Sequence, residues 1–97
     1  MKQSIAAKLA QLTLRLEEIN GLLSAGDVTV NLDNYRRLTR EHAEIGPVVD
    51  LYREYRRGEQ DIAEAEEMVA DPSMREFAET EIRETRERLV ELEKRLQ

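Results

Sequence analysis

The chain has 97 residues, about what one small domain needs. It carries 15 Lys and Arg against 21 Asp and Glu, a formal net charge of −6, and so has no general attraction for phosphate backbones. It has no Cys and a single histidine, His42, which excludes a disulfide framework, a thiolate metal site, a Cys nucleophile and a histidine cluster. No apolar run approaches the ~20 residues of a membrane-spanning helix. Abundant Ala, Glu, Leu and Arg, with four Gly and two Pro, is the composition of long helices.

The first helix is predicted over residues 3–24. Ile5, Leu9, Leu12, Leu16, Ile19 and Leu23 recur at alternating spacings of four and three, an unbroken apolar seam on one helical face. The seam stops at Ser24-Ala25-Gly26, where Gly26 suits the left-handed position that closes a helix. Asp27 to Val30 reads as a connecting loop. Val28-Thr29-Val30 alone has strand character, but no second strand signal accompanies it.

The second helix is predicted over residues 32–70, with Asn31 or Asp33 as its cap. Its early seam is Tyr35, Leu38, His42, Ile45, Val49 and Tyr52. Gly46-Pro47 interrupts the composition, and Pro47 removes one backbone hydrogen bond. The seam nevertheless keeps its phase across Pro47, which predicts one kinked helix rather than two. A second, rotated seam follows in Val48, Leu51, Tyr55, Gly58, Ile62, Ala65 and Val69.

The third helix is predicted over residues 72–96, with Asp71 as N-cap and Pro72 preorganised for the first helical position. Its seam is Met74, Ala78, Ile82, Thr85, Leu89, Leu92 and Leu96, flanked by Phe77. The pattern runs to the last residue with no Gly, Pro or terminal turn. That predicts a single helical domain, residues 1–97, whose end is either a natural frayed terminus or a cut from a longer chain.

Folding the chain back at each loop pairs the seams. Leu23 meets Tyr35, Leu16 meets His42 and Leu9 meets Val49, the paired numbers summing to 57 or 58 throughout. Ala65 meets Ala78, Gly58 meets Thr85 and Tyr55 meets Leu89, with sums of 143 or 144. Constant sums are the signature of antiparallel hairpins. The second helix therefore has two seams because it has two partners. The expected fold is all-α, an elongated antiparallel three-helix bundle or coiled coil with a long, kinked central helix.

Few constellations point to chemistry. His42 lies on a core-facing seam, and Thr39 stands where a di-iron helix pattern needs Glu, so His42 reads as a packing residue. Asp61, Glu64, Glu66 and Glu67 diverge around a continuous helix, unlike the bent loop of a calcium site. Glu84 with Arg88, and Glu91 with Arg95, are i,i+4 pairs. Two basic clusters, Arg36-Arg37-Arg40 and Arg53-Arg56-Arg57, read as solubilising faces or as contacts to RNA phosphate or an acidic protein. Tyr35, Tyr52 and Tyr55 fall on seams and so belong to the core rather than to base-stacking platforms. Leu14 lies nearly opposite its helix's seam, an ordinary exposed leucine or a docking mark. No GxxxxGK, no GxGxxG and no base at catalytic spacing from a hydroxyl is present, so no cofactor, metal or catalytic residue is expected.

Four segments carry a family resemblance: Met1-Lys2-Gln3-Ser4-Ile5 with Lys8-Leu9, the run Tyr35 to Glu44, the run Val48 to Tyr55, and Asp71-Pro72-Ser73-Met74-Arg75-Glu76-Phe77-Ala78. In collinear order they resemble the N-terminal domain of bacterial class I peptide chain release factors, of the kind that reads UAA and UAG. The resemblance implies a cytoplasmic protein that terminates translation on the ribosome. It also implies a domain that projects toward the GTPase-associated centre of the large subunit and is linked to the GTPase release factor. The family's codon-reading tripeptide and Gly-Gly-Gln loop have no counterpart, since the chain lacks a Gly-Gly pair and its only prolines are Pro47 and Pro72. This polypeptide is thus expected to be no enzyme and to act by positioning and contact, without sequence-specific nucleic-acid binding or membrane association. The candidate contact residues are Asp27 in the first loop, Asp71, Pro72 and Ser73 in the second, and Arg36, Arg37 and Arg40. The competing reading is a stand-alone helical adaptor that dimerises through coiled-coil faces, and the isolated fragment could self-associate in either case. A helical-bundle metal protein is a third reading, which the ligand count opposes.

Overall fold

The computed structural model describes residues 1–97. The fold is all-α, a helical bundle of three helices and a short 3-10 turn: α1 (Gln3–Leu23), the turn Val28–Val30, α2 (Leu32–Met68) and α3 (Arg75–Leu96). The chain divides into two compact units, residues 1–50 and residues 51–97. All peptide bonds are trans and no residue has a positive φ.

In the first unit, α1 packs on the opening part of α2 through the predicted seams. Leu9, Leu16 and Ile19 from α1 and Leu38 and Val49 from α2 are buried, with Ile19 and Val49 fully enclosed. Ile5, Leu12, Leu23, Tyr35, His42 and Ile45 are half-buried. Every seam position is therefore at least partly covered. Burying a side chain of this kind contributes about 1.5–3 kcal/mol, and that term holds the hairpin.

The hairpin's turn is built differently from expectation. Gly26 is not left-handed. α1 ends instead on Ser24 in an ordinary right-handed conformation, its N–H and Oγ–H both donating to the Asn20 carbonyl at 3.1 and 2.8 Å. Two tight turns follow, Val28 N–H to Ala25 O and Val30 N–H to Asp27 O. The Ser24 and Ala25 N–H groups donate to the Asn20 and Leu22 carbonyls, so the helix end closes without a left-handed residue. Val28–Val30 is a 3-10 turn, not a strand. Asn31 then caps α2, its Oδ1 accepting the Asn34 N–H at 3.0 Å. Pro47 lies inside α2 and does not end it.

In the second unit, Tyr55, Gly58 and Ala65 of α2 are buried, as are Ala78, Thr85, Leu89 and Leu92 of α3. At Gly58 a Cβ would collide with Leu89 Cδ2. Burial and the nearby Glu93 and Glu59 carboxylates push the Tyr55 phenol up from its ordinary value.

Three helix boundaries differ from expectation. α1 ends at Leu23 rather than 24, α2 ends at Met68 rather than 70, and α3 begins at Arg75 rather than 72. Asp71 and Pro72 do start a turn, but it is a separate one. Asp71 Oδ1 accepts both the Ser73 N–H (3.0 Å) and the Ser73 hydroxyl (2.8 Å), and Met74 N–H donates to Asp71 O. The four-residue ladder begins only with Ala78 N–H to Met74 O at 2.9 Å. Asp71 thus spends its capping oxygen on Ser73, and α3 starts without a side-chain cap.

Candidate interaction surfaces at the two turns

The predicted site residues divide into three groups. Asp71, Pro72 and Ser73 are exposed in the turn of the second unit, with Asp71 and Ser73 bonded to one another. Those hydrogen bonds, side chain first and backbone second, hold the Asp71 carboxyl below its ordinary value. Arg75 Nε donates to Val69 O at 3.2 Å and closes the same turn. Asp71 Oδ1 is thus engaged within its own loop.

Asp27 belongs to the turn of the first unit. It borders an open cleft of about 300 Å³ together with Leu22, Val28, Val30, Asn34 and Leu38. The rim is strongly apolar for a surface. Of the lining residues, Val30 is 84% exposed and Leu22 43%; Leu32, 56% exposed, lies outside the cleft. Periodicity had singled out only Leu14, which is 65% exposed and stands apart from this group in the chain. The signal that could have found these exposed residues is simple: Leu22 and Leu32 are large apolar residues off both seams, flanking the loop.

The third group is Arg36, Arg37 and Arg40, all exposed on the first turns of α2. Leu32, Arg36 and Arg40 lie at i, i+4 and i+8 and so stack along one side of the helix. Arg37 Nη2 donates to Asn34 Oδ1. Arg36 and Arg40 are held by no side-chain hydrogen bond or ion pair. The other basic cluster is different. Arg56 pairs with Glu59 at 3.1 Å and Arg57 with Asp61 at 3.3 Å. Asp61 is also approached by Arg88 at 3.8 Å, and Glu66 by Arg86 at 3.4 Å. Asp61 and Glu66 of the acidic run of α2 are therefore engaged with arginines of their own unit. Arg88 reaches across to Asp61, and Glu91 is met by Lys94 at 3.3 Å, so the two intrahelical pairs expected on α3 are replaced.

One interhelical contact had no sequence signal. Arg15 of α1 forks onto Glu41 of α2, with Nε to Oε2 at 2.6 Å and Nη2 to Oε1 at 2.9 Å, and also reaches Glu18 at 2.7 Å. The fork holds the Glu41 carboxyl below its ordinary value, with Arg15 and Arg37 charges adding to the hydrogen bonds. It raises the guanidinium's affinity for its proton as well.

No group of three or more His, Cys, Asp or Glu side chains converges to hold a metal ion. No helix is long and apolar enough to cross a membrane. Every buried side-chain polar atom has a hydrogen-bond partner. The surface carries an apolar-lined cleft at the first turn, two arginines without side-chain partners on α2, and a turn closed by Asp71 and Ser73. The fold is that of an all-α helical domain.

Comparison with known proteins gives the family. The PCRF domain model matches residues 12–97, and the chain belongs to that family. Peptide chain release factor 1 of Nitrosospira multiformis is 60% identical over 100 residues, covering 99% of this chain and 28% of the relative. The proteins of the same name from Burkholderia multivorans and Paraburkholderia phytofirmans are 57% and 58% identical over 97 residues, covering all of this chain and 27% of each relative. The chain thus spans little more than a quarter of the length of the curated relatives it matches. No solved structure matches it.

Proposed function

We propose that this chain is the non-catalytic N-terminal helical domain of a cytoplasmic peptide chain release factor that terminates translation at UAA and UAG. In this role it positions the factor on the ribosome and contacts the GTPase-associated centre of the large subunit, the GTPase release factor, or both. The observation that carries the reading is the identity of 57–60% along the whole chain to proteins named peptide chain release factor 1. The site geometry is compatible with a contact role, since the polar groups that face solvent are arranged on turns and helix faces rather than around a pocket. Asp27, the turn Asp71-Pro72-Ser73, and Arg36, Arg37 and Arg40 are the proposed contact residues.

The reading is tested by co-sedimenting the 97-residue chain with purified large ribosomal subunits and adding full-length release factor as competitor. Saturable binding that the full-length factor displaces is the expected outcome. Absence of binding, or binding that the factor leaves untouched, overturns the contact role. The downstream reading frame gives an independent check: a continuation past Gln97 without Gly-Gly-Gln overturns the release-factor assignment.

A further inference from the structure

Asn20 and Gly21 stand in the last turn of α1, which ends at Leu23. Both are exposed, and a Cβ on Gly21 would meet nothing within 4 Å. The chain has three asparagines, Asn20, Asn31 and Asn34. The side chains of two are engaged: Asn31 Oδ1 accepts the Asn34 N–H at 3.0 Å, and Asn34 Oδ1 accepts from Arg37. Each of these two is also followed by a bulky residue, Leu32 or Tyr35. The Asn20 carboxamide is held by no hydrogen bond, and the residue after it has no side chain at all. A free carboxamide beside an unhindered backbone N–H is a thermolabile pair.

Little holds this turn closed. Ser24 donates twice to the Asn20 carbonyl, from its N–H at 3.1 Å and from its hydroxyl at 2.8 Å. No basic residue lies in the last turn to offset the negative end of the helix dipole. Helix ends open at small free-energy cost. While the turn is closed, a helical ψ of about −42° keeps the Gly21 nitrogen away from Asn20 Cγ. Opening lets ψ rotate and brings the two atoms together.

We propose that Asn20-Gly21 is a site of spontaneous deamidation, gated by the Ser24 hydrogen bonds that close the last turn of α1. The Gly21 nitrogen gives its proton to water and attacks Asn20 Cγ. An N–Cγ bond forms and the Cγ–Nδ2 bond breaks. Nδ2 takes up a proton and leaves as ammonia, and a cyclic succinimide remains. Water then adds to either ring carbonyl. Opening at Cγ leaves an aspartate at this position. Opening at the backbone carbonyl leaves isoaspartate, with the main chain rerouted through the side-chain carbons. The net change is water in and ammonia out. Either product sets a new carboxylate at the negative end of the helix dipole. Isoaspartate also adds a carbon to the backbone and breaks the register of the last turn. Both products loosen the turn that carries Asp27 and borders the cleft at Leu22. This chemistry is independent of the ribosomal role proposed above.

The test incubates the 97-residue chain in mildly alkaline buffer, folded and in urea, and follows its tryptic peptides by mass spectrometry. Fragment ions locate the amide-to-acid mass change, and an isoaspartate methyltransferase assay identifies isoaspartate. Conversion at Asn20 is expected in both samples, slower when folded, with Asn31 and Asn34 unchanged in the folded chain. G21A should slow it about tenfold in urea, where no helix remains and only hindrance at the nitrogen counts. S24A should speed it roughly fivefold in the folded chain, since one hydrogen bond fewer resists opening, and leave the urea rate unchanged. Circular dichroism checks that both variants keep the fold. A folded chain that stays intact while the urea sample converts overturns the site. So does folded-state conversion no faster at Asn20 than at Asn31 or Asn34. A folded S24A rate equal to that of the parent overturns the gate.

Discussion

Arg15 on α1 and Glu41 on α2 meet in a two-pronged contact of 2.6 and 2.9 Å that ties the two helices of the first unit together. The guanidinium fork matches both carboxylate oxygens, a geometry that lysine cannot reproduce. R15K should therefore lose nearly as much stability as R15A, and the R15A/E41A double variant should lose no more than either single one. Chemical denaturation of the four proteins checks this. Additive losses would show that the pair is not coupled.

The same pair sets a pH dependence. Glu41 has a folded value below its unfolded one. Its contribution is present above the ordinary glutamate range and is lost as pH falls through the lowered folded value. The stability difference between the parent and E41Q should therefore be largest near neutrality and vanish in acid. Urea melts at a series of pH values measure it. A difference that persists unchanged into strong acid would show that the Glu41 charge is not the source. Asp71 should behave in the same direction, since Ser73 donates to its charged form. D71N should speed hydrogen exchange at the Ser73 amide, which NMR reads directly.

Ile19 and Val49 are the fully enclosed side chains of the first unit. I19A should destabilise by about 2–5 kcal/mol, and I19V by about 1 kcal/mol. Replacing the exposed Leu14 by Ala should change stability by less than about 0.5 kcal/mol. Equal effects at positions 14 and 19 would contradict the assignment of the seam.

Gly58 presses on Leu89 closely enough that no Cβ fits without movement. Alanine at 58 gains about 1 kcal/mol of helix propensity but overpacks a buried contact, which costs about 1–3 kcal/mol. G58A should therefore be net destabilising. In the background of L89A the space is vacated, and the same substitution should become neutral or stabilising. Thermal denaturation of the double-mutant cycle decides, and a G58A effect independent of residue 89 would rule out the close approach.

The hairpin seams were legible because helical periodicity records which residues face a partner. Leu9, Leu16, Ile19, Leu38, Val49, Ala65, Ala78, Leu89 and Leu92 were all on predicted seams and all are buried. Two helix ends were not legible. At Gly26 and at Asp71-Pro72 the local residue preferences admit several turns, and the choice was made by short hydrogen bonds within the loops. The Arg15–Glu41 fork was invisible for another reason. Both residues sit beside their seams, and long flexible side chains meet only once the register is fixed. The exposed Leu22, Val30 and Leu32 escaped because a seam records only the residues on it: Leu22 and Leu32 stand off the seams at helix ends, and Val30 lies in the 3-10 turn. Family membership was legible from quoted segments spread along the chain, and the matched range of residues 12–97 agrees with it.

Pro47 sits one residue after Gly46 inside α2, a helix of 37 residues. Proline supplies no N–H, so the Ala43 carbonyl loses its usual donor, and glycine adds the backbone freedom that helices resist. Two adjacent residues thus make a chemical thin spot near the middle of the longest element. Heating, force or a protease that needs an unwound stretch should find α2 first at this point. A Gly46→Ala, Pro47→Ala chain would trade that preset point of yielding for a uniformly stiff rod.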